Sequence, residues 1–229
     1  MIRWVEIFGI LIRKEWRLEW RSKELFTLLA CNAVLFSVLV GAGVSSAVLD
    51  AATAEKIYPM LLWVVFMLST TTAVSRFNEQ ELEGRGFEGL LLSGVSGAQM
   101  YLAKVVVMTI FFSVSFVFLA LLLALTLDND VSELLGSLCF VGIGASSALA
   151  ALLALLAAVA STSKLKGILL PIISIPVLFP VFLCGMEMTT ELVLNGALAE
   201  GSPWPLVLLC AETLYLVAGI NLFEIAMRE

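Results

Sequence analysis

Five charged side chains, Glu79, Glu81, Glu83, Arg85 and Glu88, fall within ten residues, and the apolar triplet Leu90, Leu91, Leu92 follows at once. Carboxylates and a guanidinium at this density keep a segment in water and make charge-assisted hydrogen bonds. Phe87 and the leucines beside them offer apolar anchors. That combination is the chemistry of docking: buried aromatic and aliphatic groups carry the affinity, while rim charges set register and on-rate. A helix through 79–92 brings Phe87, Leu90 and Leu91 to one side and leaves Glu79, Glu83 and Arg85 along other faces. The polar stretch from Arg76 to Gln99 therefore reads as a grip for a soluble partner. Its contact residues are Glu79, Glu83, Phe87, Glu88, Leu90 and Leu91.

A second candidate is Glu212, an acid well inside an apolar run. It lies eight residues past Trp204, or ~12 Å along a helix. An intramembrane carboxyl marks a cavity, a relay or a partner contact. A span that began near Leu208 would instead leave Glu212 near the outer interface. Other chemistries are excluded by residue type. The chain has no histidine, so His-ligated zinc, a His-centred triad and His ligation of haem are ruled out. Cys31, Cys139, Cys184 and Cys210 lie in apolar runs without a CxxC pair and read as small buried hydrophobes. The pattern GxxxxGK[ST] is absent, and Gly84-Arg85-Gly86 lacks the lysine and the strand–helix context of a phosphate loop. A process driven by ATP would need its ATPase on another polypeptide. No metal site and no nucleic-acid partner are expected.

The elements that position these residues follow from hydropathy. Hydrophobic residues make up 61% of the chain and charged residues 14%, with a mean hydropathy of +1.04. A soluble domain carries about 25% charged residues, so this is an integral membrane protein of the all-α class. Six apolar runs, at about 25–49, 57–76, 101–127, 134–160, 167–187 and 204–226, are each long enough to cross a bilayer as helices. They form a single transmembrane domain over 1–229, with 77–99 as its polar coupling segment.

Residues 2–22 mix charges through their apolar positions, so no cleavable signal peptide is expected. They read as an amphipathic interfacial helix. Trp4, Phe8, Ile12, Trp16 and Trp20 recur every fourth residue, and Arg3, Glu6, Arg13, Lys14, Arg17 and Arg21 gather on the opposite arc. Tryptophans with a basic face suit the headgroup layer of a lipid bilayer. Glu15 and Glu19 fall among the aromatics. They either reach sideways to water or face a partner or the polar loop.

Two patterns concern packing. Gly142, Ser146, Ala150, Ala154 and Ala158 repeat at four-residue spacing, which lets a second helix approach closely, within this chain or across a subunit interface. Pro171, Pro176 and Pro180 in the fifth run each remove a backbone donor and make either a hinge or a static bend.

Together the motifs carry a resemblance. Lys14-Glu15-x-Arg17-xxx-Arg21 resembles the interfacial elbow of ABC-2-type exporter permeases. Phe77 and Glu79, then Gly86-Phe87-Glu88-Gly89-Leu90-Leu91-Leu92 and Ala103-Lys104, resemble the membrane permease of the cytochrome c maturation ABC complex, the CcmB family of haem exporter proteins. Pro59-xxx-Trp63-Val64 and Gly167-xx-Leu170-Pro171-xxxx-Pro176-xxx-Pro180 are similar to that family too, so the likeness covers nearly the whole chain. It departs at Ser93-Gly94, where such loops often carry a proline.

The resemblance implies a non-catalytic permease subunit of a bacterial-type inner membrane. Two copies of a cytoplasmic ABC ATPase would carry ATP and Mg. A haem-handling membrane protein and a haem chaperone would carry the haem, and none of these cofactors would be bound by this chain. Met186 and Met188 read as core methionines rather than iron ligands. An ABC-2 exporter for a drug, lipid or glycan is the alternative. An ion-coupled carrier using Glu212 is a third reading, with no inverted repeat to favour it.

Orientation follows the basic residues. Twelve of the thirteen lie at the N-terminus, the second and fourth connections and the C-terminus, and only Lys56 lies opposite. The positive-inside rule then makes both termini cytoplasmic. Cysteines placed singly at positions 52, 129 and 197 should react with a membrane-impermeant thiol reagent from outside the cell. Labelling of position 197 from the cytoplasm alone would contradict this orientation.

Overall fold

A backbone in hydrocarbon must pair its own N–H and C=O groups, and long apolar runs without alternation do so as helices. The computed structural model describes residues 2–47, 51–83, 95–161 and 166–228, and for several helix ends, 74–83, 157–161 and 166–175 among them, the helical path alone. Among the described residues there are seven α-helices and one 3-10 turn. They are α1 (Ile2–Ser22), α2 (Glu24–Ala47), α3 (Ala51–Glu83), α4 (Gly97–Thr126), the 3-10 turn Ser132–Leu134, α5 (Leu135–Ser161), α6 (Lys166–Asn195) and α7 (Trp204–Arg228). Six stretches are long and apolar enough to cross a membrane, one in each of α2, α3, α4 and α7, one in α6, and one that takes in the 3-10 turn and most of α5.

Helix ends differ from the expected bounds where acids sit on a continuing helix. α6 runs on to Asn195, past Glu187 and Glu191, because Met188, Thr189 and Leu192 continue its buried face. Glu191 holds the following turn, accepting from the Ala199 N–H at 3.1 Å and the Ser202 hydroxyl at 3.0 Å. α3 likewise runs on to Glu83, so residues 76–83 are its last turns rather than a separate segment. α4 starts at Gly97, four residues earlier than expected, behind a capping box. The Ser96 hydroxyl accepts from the Gln99 N–H at 3.3 Å, and Gln99 Oε1 accepts from the Ser96 N–H at 3.2 Å.

The bundle is built around α5, which packs against α3, α4, α6 and α7. Every residue from Ala148 to Leu155 is buried. The four-residue stripe Gly142, Ser146, Ala150 and Ala154 is buried within this chain. The side chain of Ala158 lies outside the described residues.

Lipid tails give helices no hydrophobic reason to associate, so close fit and interhelical hydrogen bonds must hold them. Both are visible. Three rings press against three glycines: Phe116 of α4 on Gly142, Trp63 of α3 on Gly185, and Tyr101 of α4 on Gly219. A Cβ at any of these glycines would overlap atoms of the ring. Trp63, Phe66 and Phe116 also pack on one another with centroids 5.1–5.8 Å apart. The Trp63 indole N–H donates to Thr189 Oγ1 at 2.9 Å, tying α3 to α6.

All three tyrosines of the chain reach across to another helix. Tyr58 of α3 donates to the Ala120 carbonyl of α4 at 3.0 Å. The Tyr101 hydroxyl of α4 sits between the carbonyls of Ala151 in α5, at 2.9 Å, and Tyr215 in α7, at 3.2 Å. Tyr215 donates to the Val177 carbonyl of α6 at 2.7 Å, between Pro176 and Pro180. Pro176 is exposed, Pro180 is half-buried, and Pro171 lies where the helical path alone is described. α6 carries all three prolines as one helix.

The glycine seats give a direct stability test. Gly219→Ala should destabilise the purified chain by about 1–3 kcal/mol, because Tyr101 must leave its rotamer or α7 must move out. Gly136→Ala, with open space around it, should not. Matched thermal unfolding of both variants checks this, and equal midpoints would contradict the packing.

Candidate functional site

Three places carry the candidate residues: the segment after α3, the N-terminal helix, and Glu212. In the first, the apolar run of α3 ends at Arg76 and the helix at Glu83. Seven residues, ~10 Å of helix, therefore extend it beyond its apolar part. Glu79 and Glu83 lie on this extension, where the helical path is described. Phe87, Glu88, Leu90 and Leu91 lie outside the described residues.

The second place is an elbow. α1 contacts α4 at both ends of a matched interval: Gln99 Nε2 donates to the Trp4 carbonyl at 3.4 Å, and Trp16 stacks on Phe111 with centroids 5.3 Å apart. The interval is twelve residues on each helix, so α1 runs alongside the first three turns of α4. α2 continues along the second half, where Gly41 meets Thr126. The buried line of α1 is Leu11, Glu15 and Glu19. Trp4, Trp20, Arg13, Arg17 and Arg21 are exposed, while Lys14 and Trp16 are half-buried. Lys14 pairs with Glu15 at 2.8 Å.

The expectation that Glu15 and Glu19 reach sideways to water is therefore corrected, since both are buried against the bundle. Glu19 has a definite task. α2 begins one residue after α1 ends, and its first N–H groups have no partner in their own helix. The Glu19 carboxylate accepts from the Phe26 N–H at 3.2 Å, as an N-cap side chain does from N3. The one residue between the helices, Lys23, takes a left-handed φ of 55° and donates its N–H to the Glu19 carbonyl at 2.6 Å. Burial pushes the Glu19 carboxyl above the usual glutamate range, and hydrogen bonds from the Phe26 and Leu25 backbone oppose that rise.

The third place is the seam between α5 and α7. α7 starts at Trp204, so Glu212, half-buried, lies eight residues into it and not at its edge. α5 and α7 run side by side in the same direction, with Gly144 beside Leu208 and Ser147 beside Glu212. The Ser147 hydroxyl hydrogen-bonds to Glu212 Oε1 and also lies 2.9 Å from the Gly144 carbonyl. Next to it the Ser146 hydroxyl is buried with no hydrogen-bond partner among the described residues. Ser147 was not visible as a partner in the sequence, because it falls off the Gly142–Ala154 stripe by one residue. Among the described residues no group of three histidine, cysteine or acidic side chains converges as metal ligands would.

A family model described as CcmB protein matches residues 6–227. No curated protein matches the chain.

Replacing Glu19 tests the elbow. Glu19→Ala should cost about 1 kcal/mol by leaving the α2 N–H groups unmet, and Glu19→Gln, which keeps an acceptor oxygen, should cost less. An acid whose folded pKa is raised stabilises the fold most at low pH, and that contribution fades as pH rises through the raised value. Unfolding of the wild type against pH should show this decline above the usual glutamate range. Its persistence in Glu19→Gln would assign it to another group.

Proposed function

The chain belongs to the CcmB family, and from that premise we propose how it works. A member of this family is a haem exporter permease subunit of the cytochrome c maturation ABC system, a multi-pass protein of the inner membrane that works with an ABC-type ATPase. In our reading both termini are cytoplasmic, and two copies of the cytoplasmic ATPase grip the 77–99 segment. ATP and Mg stay on that ATPase. Its hydrolysis cycle drives haem delivery, or release of a haem-loaded chaperone, at the outer face. Haem is ligated by a haem-handling membrane protein and by the chaperone, since a chain without histidine offers no imidazole.

The observation that carries this reading is the rod of α3. A push on its extension is transmitted by one continuous helix to Trp63, which is seated on Gly185 of α6 and bonded to Thr189. α6 is the helix with Pro171, Pro176 and Pro180, and these act as its hinge. Packed helices with two discrete arrangements carry coupling in this way. α1 packs along the first turns of α4 and turns Arg13, Arg17 and Arg21, on its exposed side, toward headgroups.

Phe87→Ala and Glu88→Lys test the grip. Losing the aromatic anchor should weaken ATPase binding by about 2 kcal/mol, whereas Glu81→Ala, at the rim, should cost under about 1 kcal/mol. Co-purification of the ATPase with variants that insert normally reads this out. Wild-type amounts of bound ATPase in both Phe87→Ala and Glu88→Lys would sink the assignment.

A further inference from the structure

Where α1 turns into α2, level with the start of the first membrane-length helix, a groove of about 340 Å³ opens against Ile110, Phe111 and Val114 of α4. Trp16, Trp20, Phe26, Ile110, Phe111 and Val114 line it, with Glu19 at its edge and Lys23 as the cation of its lining. Trp20, Phe26, Ile110 and Val114 are each 41–65% exposed, so no described residue covers the groove. The Glu19 carboxylate is buried and engaged on the α2 N–H groups.

Lys23 is the unusual member. Its left-handed φ of 55° is a conformation that glycine adopts freely and that costs a lysine. A junction needing only to redirect the chain would be served better by glycine. A strained residue at a cleft points to a task for its side chain. Here the side chain brings a cation to an apolar groove, at the start of the first membrane-length helix.

We infer that this elbow is a binding site for one glycerophospholipid, with an acyl chain in the aromatic groove and the phosphate on the Lys23 ammonium. The volume takes part of one acyl chain, and the exposed side of the groove lets the remainder run on into the bilayer. The charge fits as well: a lysine pairs with phosphate as a point charge. Tryptophans at a headgroup boundary place an apolar ring against the chain and a polar edge toward the glycerol. A bound lipid would then wedge α1 and α2 at their set angle.

The test uses the full chain, purified and delipidated, with dioleoyl phosphatidylglycerol and dioleoylglycerol as probes. Native mass spectrometry reads the lipid retained. Lys23→Gly relieves the backbone strain and so keeps or raises thermal stability, but it should weaken phosphatidylglycerol retention about fivefold. Dioleoylglycerol, which has no phosphate, should bind both proteins alike. Val114→Trp fills the groove and should abolish retention of both lipids. Equal phosphatidylglycerol retention by wild type, Lys23→Gly and Val114→Trp would overturn the proposal. So would a photoreactive side chain at position 110 that, in native membranes, captures a partner protein instead of lipid.

Discussion

Helices in hydrocarbon gain nothing by hiding apolar surface from lipid, so what holds this bundle is fit and satisfied polarity. Its central device is an aromatic ring laid on a glycine of the next helix. Phe116 on Gly142, Trp63 on Gly185 and Tyr101 on Gly219 join α4 to α5, α3 to α6 and α4 to α7. The rings come this close only because no Cβ stands in the way, and dispersion contacts accumulate where they touch. Tyrosine hydroxyls and the Trp63 indole secure the same seams with hydrogen bonds, so the rings cannot slide. α5, with small residues on the faces it turns to its neighbours, is the post that these seams surround.

How much of this was legible in the sequence depends on distance along the chain. The six spans were, since each is a local property of twenty or so residues. The stripe of Gly142, Ser146, Ala150 and Ala154 was also legible as a close contact, because its period lies within one helix. Its partner was not. Nothing about Gly185 or Gly219 names Trp63 or Tyr101, since a glycine shows only that something may approach. Helix ends differ from expectation wherever an acid stands in for a boundary. Glu187 and Glu191 sit on a helix whose other face remains buried, and the charged residues after Arg76 ride on α3 to Glu83. Charge ends a hydrophobic run without ending a helix.

The N-terminal helix shows a different failure. Its aromatic period is real, but the line that faces the bundle is one residue away, at Leu11, Glu15 and Glu19. A wheel weights residues by hydropathy and cannot see an acid recruited to cap the next helix. Glu19 is buried because α2 begins one residue after α1 ends and needs an acceptor there. Glu212 is a parallel case. Its position inside a span is evident from the sequence, while Ser147, its hydrogen-bond partner, lies in another helix.

The central claim is that α3 is one rigid member, held by Trp63 and Tyr58 within the bundle and reaching past it to a soluble motor. Cross-linking tests this most directly. Photoreactive residues at positions 79 and 83, on the α3 extension, and at position 10, on the exposed side of α1, would be activated in membranes that contain the ATPase. Capture of the ATPase from 79 and 83, and not from 10, is the result the proposed coupling predicts. Capture from position 10 with none from 79 or 83 would contradict it, and the path from motor to permease would have to begin at α1 instead.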